Sequence, residues 1–108
     1  MRTRSAGICS ALFLFILSTP ASGAEFTVLI KEFNYSPNSL SIKRGDSVKF
    51  VNEDSAPHTV TPYRDAHFKP VDKLGKGESA TVKFENLGQQ KYYCDIHPMM
   101  EGVVLVKE

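Results

Sequence analysis

Tyr92-Tyr93-Cys94-Asp95-Ile96-His97-Pro98-Met99-Met100-Glu101-Gly102 places a thiol, an imidazole and two thioethers within the seven residues from Cys94 to Met100. Thiolate and thioether are soft donors and imidazole is borderline, so the set suits a metal cycling between Cu(I) and Cu(II) better than Mg, Ca or Mn. At the full extension of about 3.3 to 3.6 Å per residue, successive donors in this stretch stay within about 10 Å of one another. Curvature at Pro98 would bring them onto one ion.

Outward from this loop, the preceding residues read as a strand. Its alternation puts Tyr92 and Cys94 on one face, toward the core, with Lys91 and Tyr93 opposite. A buried cysteine by itself is more often inert packing than a ligand; here the histidine three residues on and the methionine three beyond it weigh against packing. Two His, one Cys and a weak axial Met form the trigonal electron-transfer copper site, and the loop lacks the second histidine. His58, in Ala56-Pro57-His58-Thr59-Val60, is the candidate, because Pro57 fixes where its strand begins. His67, in Asp65-Ala66-His67-Phe68, has no such partners and reads as a surface histidine.

The rest of the chain is strands and turns. Phe26 to Phe33 is rich in β-branched and aromatic residues, and Asn34-Tyr35-Ser36-Pro37-Asn38 ends it with turn formers. Ser39 to Lys43 and Ser47 to Asn52 both alternate around Arg44-Gly45-Asp46, the pattern of a hairpin. A polar connection leads to His58-Thr59-Val60-Thr61. Residues 62–77 are the least regular, with Pro62, Pro70, Gly75 and Gly77 opposing a long helix. Glu78 to Phe84 turns Ala80, Val82 and Phe84 to one face, and Gly102 to Val106 closes the chain as a run apolar on both faces. Seven to eight short strands predict an all-β sandwich or barrel. An immunoglobulin-type sandwich lacks its chemistry here, with no Trp and no partner for Cys94.

The N-terminus reads as a secretory signal peptide over residues 1–24: Arg2 and Arg4, an apolar run from Ile8 to Leu17, then Ser22-Gly23-Ala24. That run is well short of the ~20 residues of a membrane span. Cys9 precedes most of it, which argues against a lipoprotein anchor. Cleavage after Ala24 would leave a domain over 25–108 and change the formal charge from +1 to −1, because both lost charges are arginines. Nucleic acid is not an expected partner, since Arg64, Lys69, Lys73 and Lys76 are interleaved with Asp65 and Asp72. Loss of Cys9 leaves Cys94 with no disulfide partner in an oxidising compartment, where small domains lean on disulfides or metals.

Asn52-Glu53-Asp54-Ser55-Ala56-Pro57-His58-Thr59-Val60 followed by the Tyr92 to Gly102 loop resembles the cupredoxins, the small blue copper proteins, and the short Cys-x2-His-Pro-x-Met spacing is most similar to that of amicyanin. Plastocyanin and pseudoazurin, wider relatives, carry longer spacings. The resemblance implies a Greek-key β-sandwich with one type 1 copper near one end, bound by His58, Cys94, His97 and axial Met100. It implies that Asn52 ties the two ligand loops together, that a backbone amide near it donates to the Cys94 sulfur, and that Thr59 hydrogen-bonds to the residue after the cysteine. Two residues depart from the pattern. Asp95 stands where the family usually has Thr or Ser, and Met99, a second thioether, replaces an aromatic residue typical of amicyanin.

These readings together predict a non-enzymatic periplasmic carrier of single electrons, monomeric, with His97 as the solvent-edge conduit and transient docking around it. The resemblance to amicyanin, and that alone, implies an amine dehydrogenase as donor and a c-type cytochrome as acceptor. The alternative is a periplasmic copper chaperone or buffer using Met99, Met100 and His67.

Overall fold

The computed structural model describes residues 23–108, and among them there are nine strands and no helix. The signal-peptide expectation falls almost wholly outside the described residues. The strands are β1 (Glu25–Lys31), β2 (Asn34–Ser36), β3 (Ser39–Lys43), β4 (Ser47–Asn52), β5 (His58–Pro62), β6 (Val71–Leu74), β7 (Ser79–Lys83), β8 (Gly88–Tyr93) and β9 (Glu101–Lys107). They form a five-stranded sheet in the order β3-β9-β8-β5-β6 and a four-stranded sheet in the order β2-β1-β4-β7. The expected β-sandwich is thus observed.

Alternation along each strand builds the core between the sheets. Val28 and Ile30 of β1, Val48 and Phe50 of β4, and Val82 of β7 face Ile42, Val60, Tyr92, Val104 and Val106 of the other sheet, all buried. Tyr92 is the hub, meeting Tyr35 edge-on at 4.8 Å and Phe50 at 5.5 Å between ring centroids. Its ring also crosses over Gly102, its cross-strand partner, and a β-carbon there would overlap the ring. Glycine at 102 is therefore required by close approach.

The hairpin expected over Ser39 to Asn52 does not form. A tight turn is present, with the Asp46 amide donating to the Lys43 carbonyl at 3.0 Å and Gly45 at φ 97°. Its two arms, however, enter different sheets: β3 runs parallel to β9, and β4 lies between β1 (parallel) and β7 (antiparallel). Adjacent amides divide accordingly, Arg44 donating to Lys107 and Gly45 to Phe84. The Asp46 carboxylate fastens this arch by accepting from the amides of Ala24 and Lys43. Two amphipathic strands around a turn satisfy a hairpin and an arch equally; the parallel partners, distant in sequence, decide between them.

Residues 62–77 contain the short strand β6, which pairs with β5 through a register shift between His58 and Val60. The remainder is held by Gln90, whose side chain accepts from the His67 amide at 2.7 Å and donates to the carbonyls of Asn86 and Leu87.

Candidate metal centre

Three segments converge at one end of the sandwich: the start of β5, the loop between β8 and β9, and the turn between β1 and β2. Pro57 removes a backbone donor immediately before β5, and β5 opens at His58, which is completely buried. Cys94 follows the last residue of β8 and keeps the inward phase of Tyr92, so it too is completely buried. The loop then folds back on itself: the Met100 amide donates to the His97 carbonyl at 2.9 Å and the Cys94 amide to the Met100 carbonyl at 3.2 Å. Met100 is buried in the core cluster that includes Cys94, whereas Met99 is 91% exposed.

The Nδ1 atoms of His58 and His97 each lie 3.8 Å from Cys94 Sγ, and the three donor atoms fall within 4.8 Å of one another. Metal–nitrogen and metal–sulfur bonds of about 2.0 to 2.3 Å, spread at 120°, put nitrogen and sulfur about 3.8 Å apart. Each nitrogen thus stands at the distance from the sulfur that a shared ion would need. Among the described residues this is the only cluster of three or more His, Cys, Asp or Glu side chains disposed in this way.

The deep half of the cluster is oriented by hydrogen bonds. Asp54 Oδ2 lies 2.8 Å from His58 Nε2; with the proton on Nε2, the Nδ1 lone pair faces Cys94. The same carboxylate accepts from the amides of Glu32 at 2.7 Å and Phe33 at 3.0 Å. Desolvation raises the pKa of Asp54, but the Phe33 and Glu32 amides and the His58 ring outweigh it and hold the carboxyl below the ordinary aspartate value. The Thr59 amide donates to Cys94 Sγ at 3.4 Å, and Thr59 Oγ1 accepts from the Asp95 amide at 3.0 Å.

Thr59 therefore makes the bond expected of it to the residue after the cysteine, and supplies the amide to the sulfur. Asp95 extends this link, because the Thr59 hydroxyl reaches Asp95 Oδ1 at 3.3 Å. Asn52 differs from expectation. It donates to the carbonyls of Ala56 and Leu74 and accepts from the Asp54 amide, so it knits the His58 loop to β6 and leaves the join between the two ligand loops to Thr59. Fully buried and using both amide hydrogens, it sets where Asp54 points.

His67 is exposed and lies beside Gln90, four residues along β8 from Cys94, or about 13 Å at the strand rise. It joins neither the cluster nor Met99.

Phe33 is the residue the sequence reading missed. At the end of the strand-like run that starts at Phe26, it gave no sign of approaching the histidines. In the structure β1 stops at Lys31, Glu32 and Phe33 take φ of 52° and 59°, and the Phe33 ring meets His58 and His97 edge-on at 5.1 and 4.8 Å. With Ile96 and Met99 it forms an exposed apolar rim around the partly exposed His97. The surface cleft of about 460 Å³ beside the rim is lined by Asn34, Tyr63, Met99 and Glu101 among others and takes in neither His58, Cys94 nor His97.

Comparison with known proteins agrees with this geometry. The family model of the cupredoxin-like domain matches residues 7–106. A chloroplastic plastocyanin of Tetradesmus obliquus is 31% identical over 96% of this chain and 79% of its own length. Amicyanin-alpha of Methylorubrum extorquens is 29% identical over 95% of this chain and 87% of its own. Among solved structures, the Cu(I) form of an amicyanin variant superposes with a TM-score of 0.72 at 30% identity, covering 82% of this chain and 86% of the other.

Proposed function

The chain belongs to the cupredoxin-like family, and on that premise we propose that it is a blue copper protein carrying single electrons, its one copper held by His58, Cys94, His97 and axial Met100. The observation that carries this reading is the pair of 3.8 Å separations between Cys94 Sγ and the two imidazole Nδ1 atoms, at a sandwich end closed on its inner side. When bound, copper supplies one-electron redox chemistry at a thiolate.

The chain's own residues do the rest. Cys94 would supply the sulfur donor, which the Thr59 amide orients by donating to it. Asp54 keeps the His58 proton on Nε2 and its Nδ1 toward the site. Neighbouring strands β5 and β8 of one sheet hold His58 and Cys94 at fixed separation, so that electron gain and loss would require little rearrangement. Met100 is preferred to Met99 as axial donor because it is buried and Met99 points to solvent.

His97 is the exit to the surface, and the rim of Phe33, Ile96 and Met99 suits small, brief contacts of the kind redox partners make. By the amicyanin resemblance, an amine dehydrogenase is the proposed donor and a c-type cytochrome the proposed acceptor. A signal peptide over residues 1–24 would deliver domain 25–108 to the periplasm.

A copper chaperone built on Met99, Met100 and His67 is less well supported, because these donors are respectively outward, inward and distant. Titration of the metal-free protein with Cu(II) tests the reading: an intense visible thiolate-to-copper band should appear, bleach reversibly on reduction and be lost in Cys94→Ala. A colourless complex, or copper exchanged freely to a chelator during redox cycling, would sink it.

A further inference from the structure

Phe33 and its anchor are more elaborate than a docking rim requires. Two successive non-glycine residues in the left-handed region are uncommon and persist only where surrounding contacts over-determine them. Here the compensation comes from Asp54, which binds both of their amides and His58 Nε2 with one carboxylate. Burial of the ring is not the return, since Phe33 is 49% exposed. The return is contact with both imidazoles, at interplanar angles of 88° and 84°.

The two histidines need this unequally. Asp54 and complete burial already fix His58, whereas no side-chain hydrogen bond among the described residues holds His97 Nε2, and its ring rests against Phe33 at 4.8 Å and His58 at 5.0 Å.

We infer that Phe33 is a positioning residue of the metal centre, its ring steadying the His97 imidazole at the solvent edge and slowing release of the ion. The Asp54 carboxylate makes this steadying and the orientation of His58 a single structural unit. The inference rests on the proposed copper reading.

Its test is the rate at which metal-loaded protein gives up Cu(II) to excess EDTA, followed by loss of the visible band. Phe33→Ala should release copper about 10-fold faster, the scale of losing one or two edge-to-face ring contacts. Phe33→Tyr and Phe33→Trp should stay near the wild-type rate. Phe33→Leu, which refills volume without a ring, should resemble Phe33→Ala, and it also serves if Phe33→Ala folds poorly. The metal-free melting temperature of the Leu variant should match wild type, separating ion retention from folding.

Wild-type rates in both Phe33→Ala and Phe33→Leu would overturn the inference, and so would recovery by Leu alone. The same series with Zn(II), which needs no blue site, reads the Phe33 effect separately. A wild-type protein that never turns blue would sink the copper reading, and the Zn(II) ratios would still decide the role of Phe33.

Discussion

His58 and His97 present the same Nδ1 atom at the same 3.8 Å from Cys94 Sγ, yet their surroundings are opposites. His58 opens a strand, is completely buried and is bound by a carboxylate that Asn52 orients. His97 lies on a loop, is partly exposed, and is held by ring contacts. The contrast shows that a site can be rigid and reachable at once if the two demands fall on different residues. The sandwich supplies rigidity through His58; the loop supplies access through His97.

The largest effect should come from exchanging the two truncations. His58→Ala leaves Asp54 without its ring partner and opens a cavity, so the metal-free protein should lose about 2–4 kcal/mol in urea unfolding, while His97→Ala changes it by about 0.5 kcal/mol or less. Added imidazole should restore metal binding to the His97 variant, whose gap faces solvent, and not to the His58 variant. Equal stability losses, or rescue of both, would erase the contrast.

Asn52→Ala should cost about 1–3 kcal/mol, because the Ala56 and Leu74 carbonyls and the Asp54 amide lose a buried partner. Copper spectra of that variant should show the His58 side disturbed. A neutral result would mean that packing, not this network, fixes the deep half.

Tyr92→Phe probes packing directly. The Tyr92 hydroxyl is buried without a protein partner, and its burial holds the phenol well above its ordinary pKa. Removing the hydroxyl should leave stability unchanged or raise it by up to about 1 kcal/mol. A loss larger than that would show that the hydroxyl is satisfied by bound water.

The smallest change belongs to the open half. Met99→Ala, at a side chain 91% exposed, should leave unfolding within about 0.5 kcal/mol and the visible band unmoved. Only electron exchange with partner proteins should slow. A shifted band would transfer the axial role to Met99.

The loop between β8 and β9 was the more legible in sequence. Cys94, His97 and Met100 are neighbours in the chain, so their donor types and spacing can be read together. His58 needed its flanking proline and the missing fourth donor to be singled out. Strand alternation gave the inward phase of Cys94, Ala80, Val82 and Phe84, because a period of two is a local property. Pairing is not local, which is why the turn at Gly45 read as a hairpin and proved to be an arch. Nor could Phe33 be placed, since its position depends on Asp54 reaching across from another loop to stabilise a backbone that strand propensity disfavours. The short β6 escaped notice among prolines and glycines because its ordering comes from β5 and from Asn52, which donates to the Leu74 carbonyl.

The crossing of Tyr92 over Gly102 ties loop length to chemistry. Slipping β9 by one residue would bring Glu101 or Val103 beneath the ring, where a side chain has no room, so the two strands cannot slide to absorb an insertion. Any residue gained or lost between them must be taken up wholly by the bend that carries Cys94, His97 and Met100. In lineages that lengthen or shorten this bend, the frame would stay still and the altered span would be felt first as a change in colour and potential.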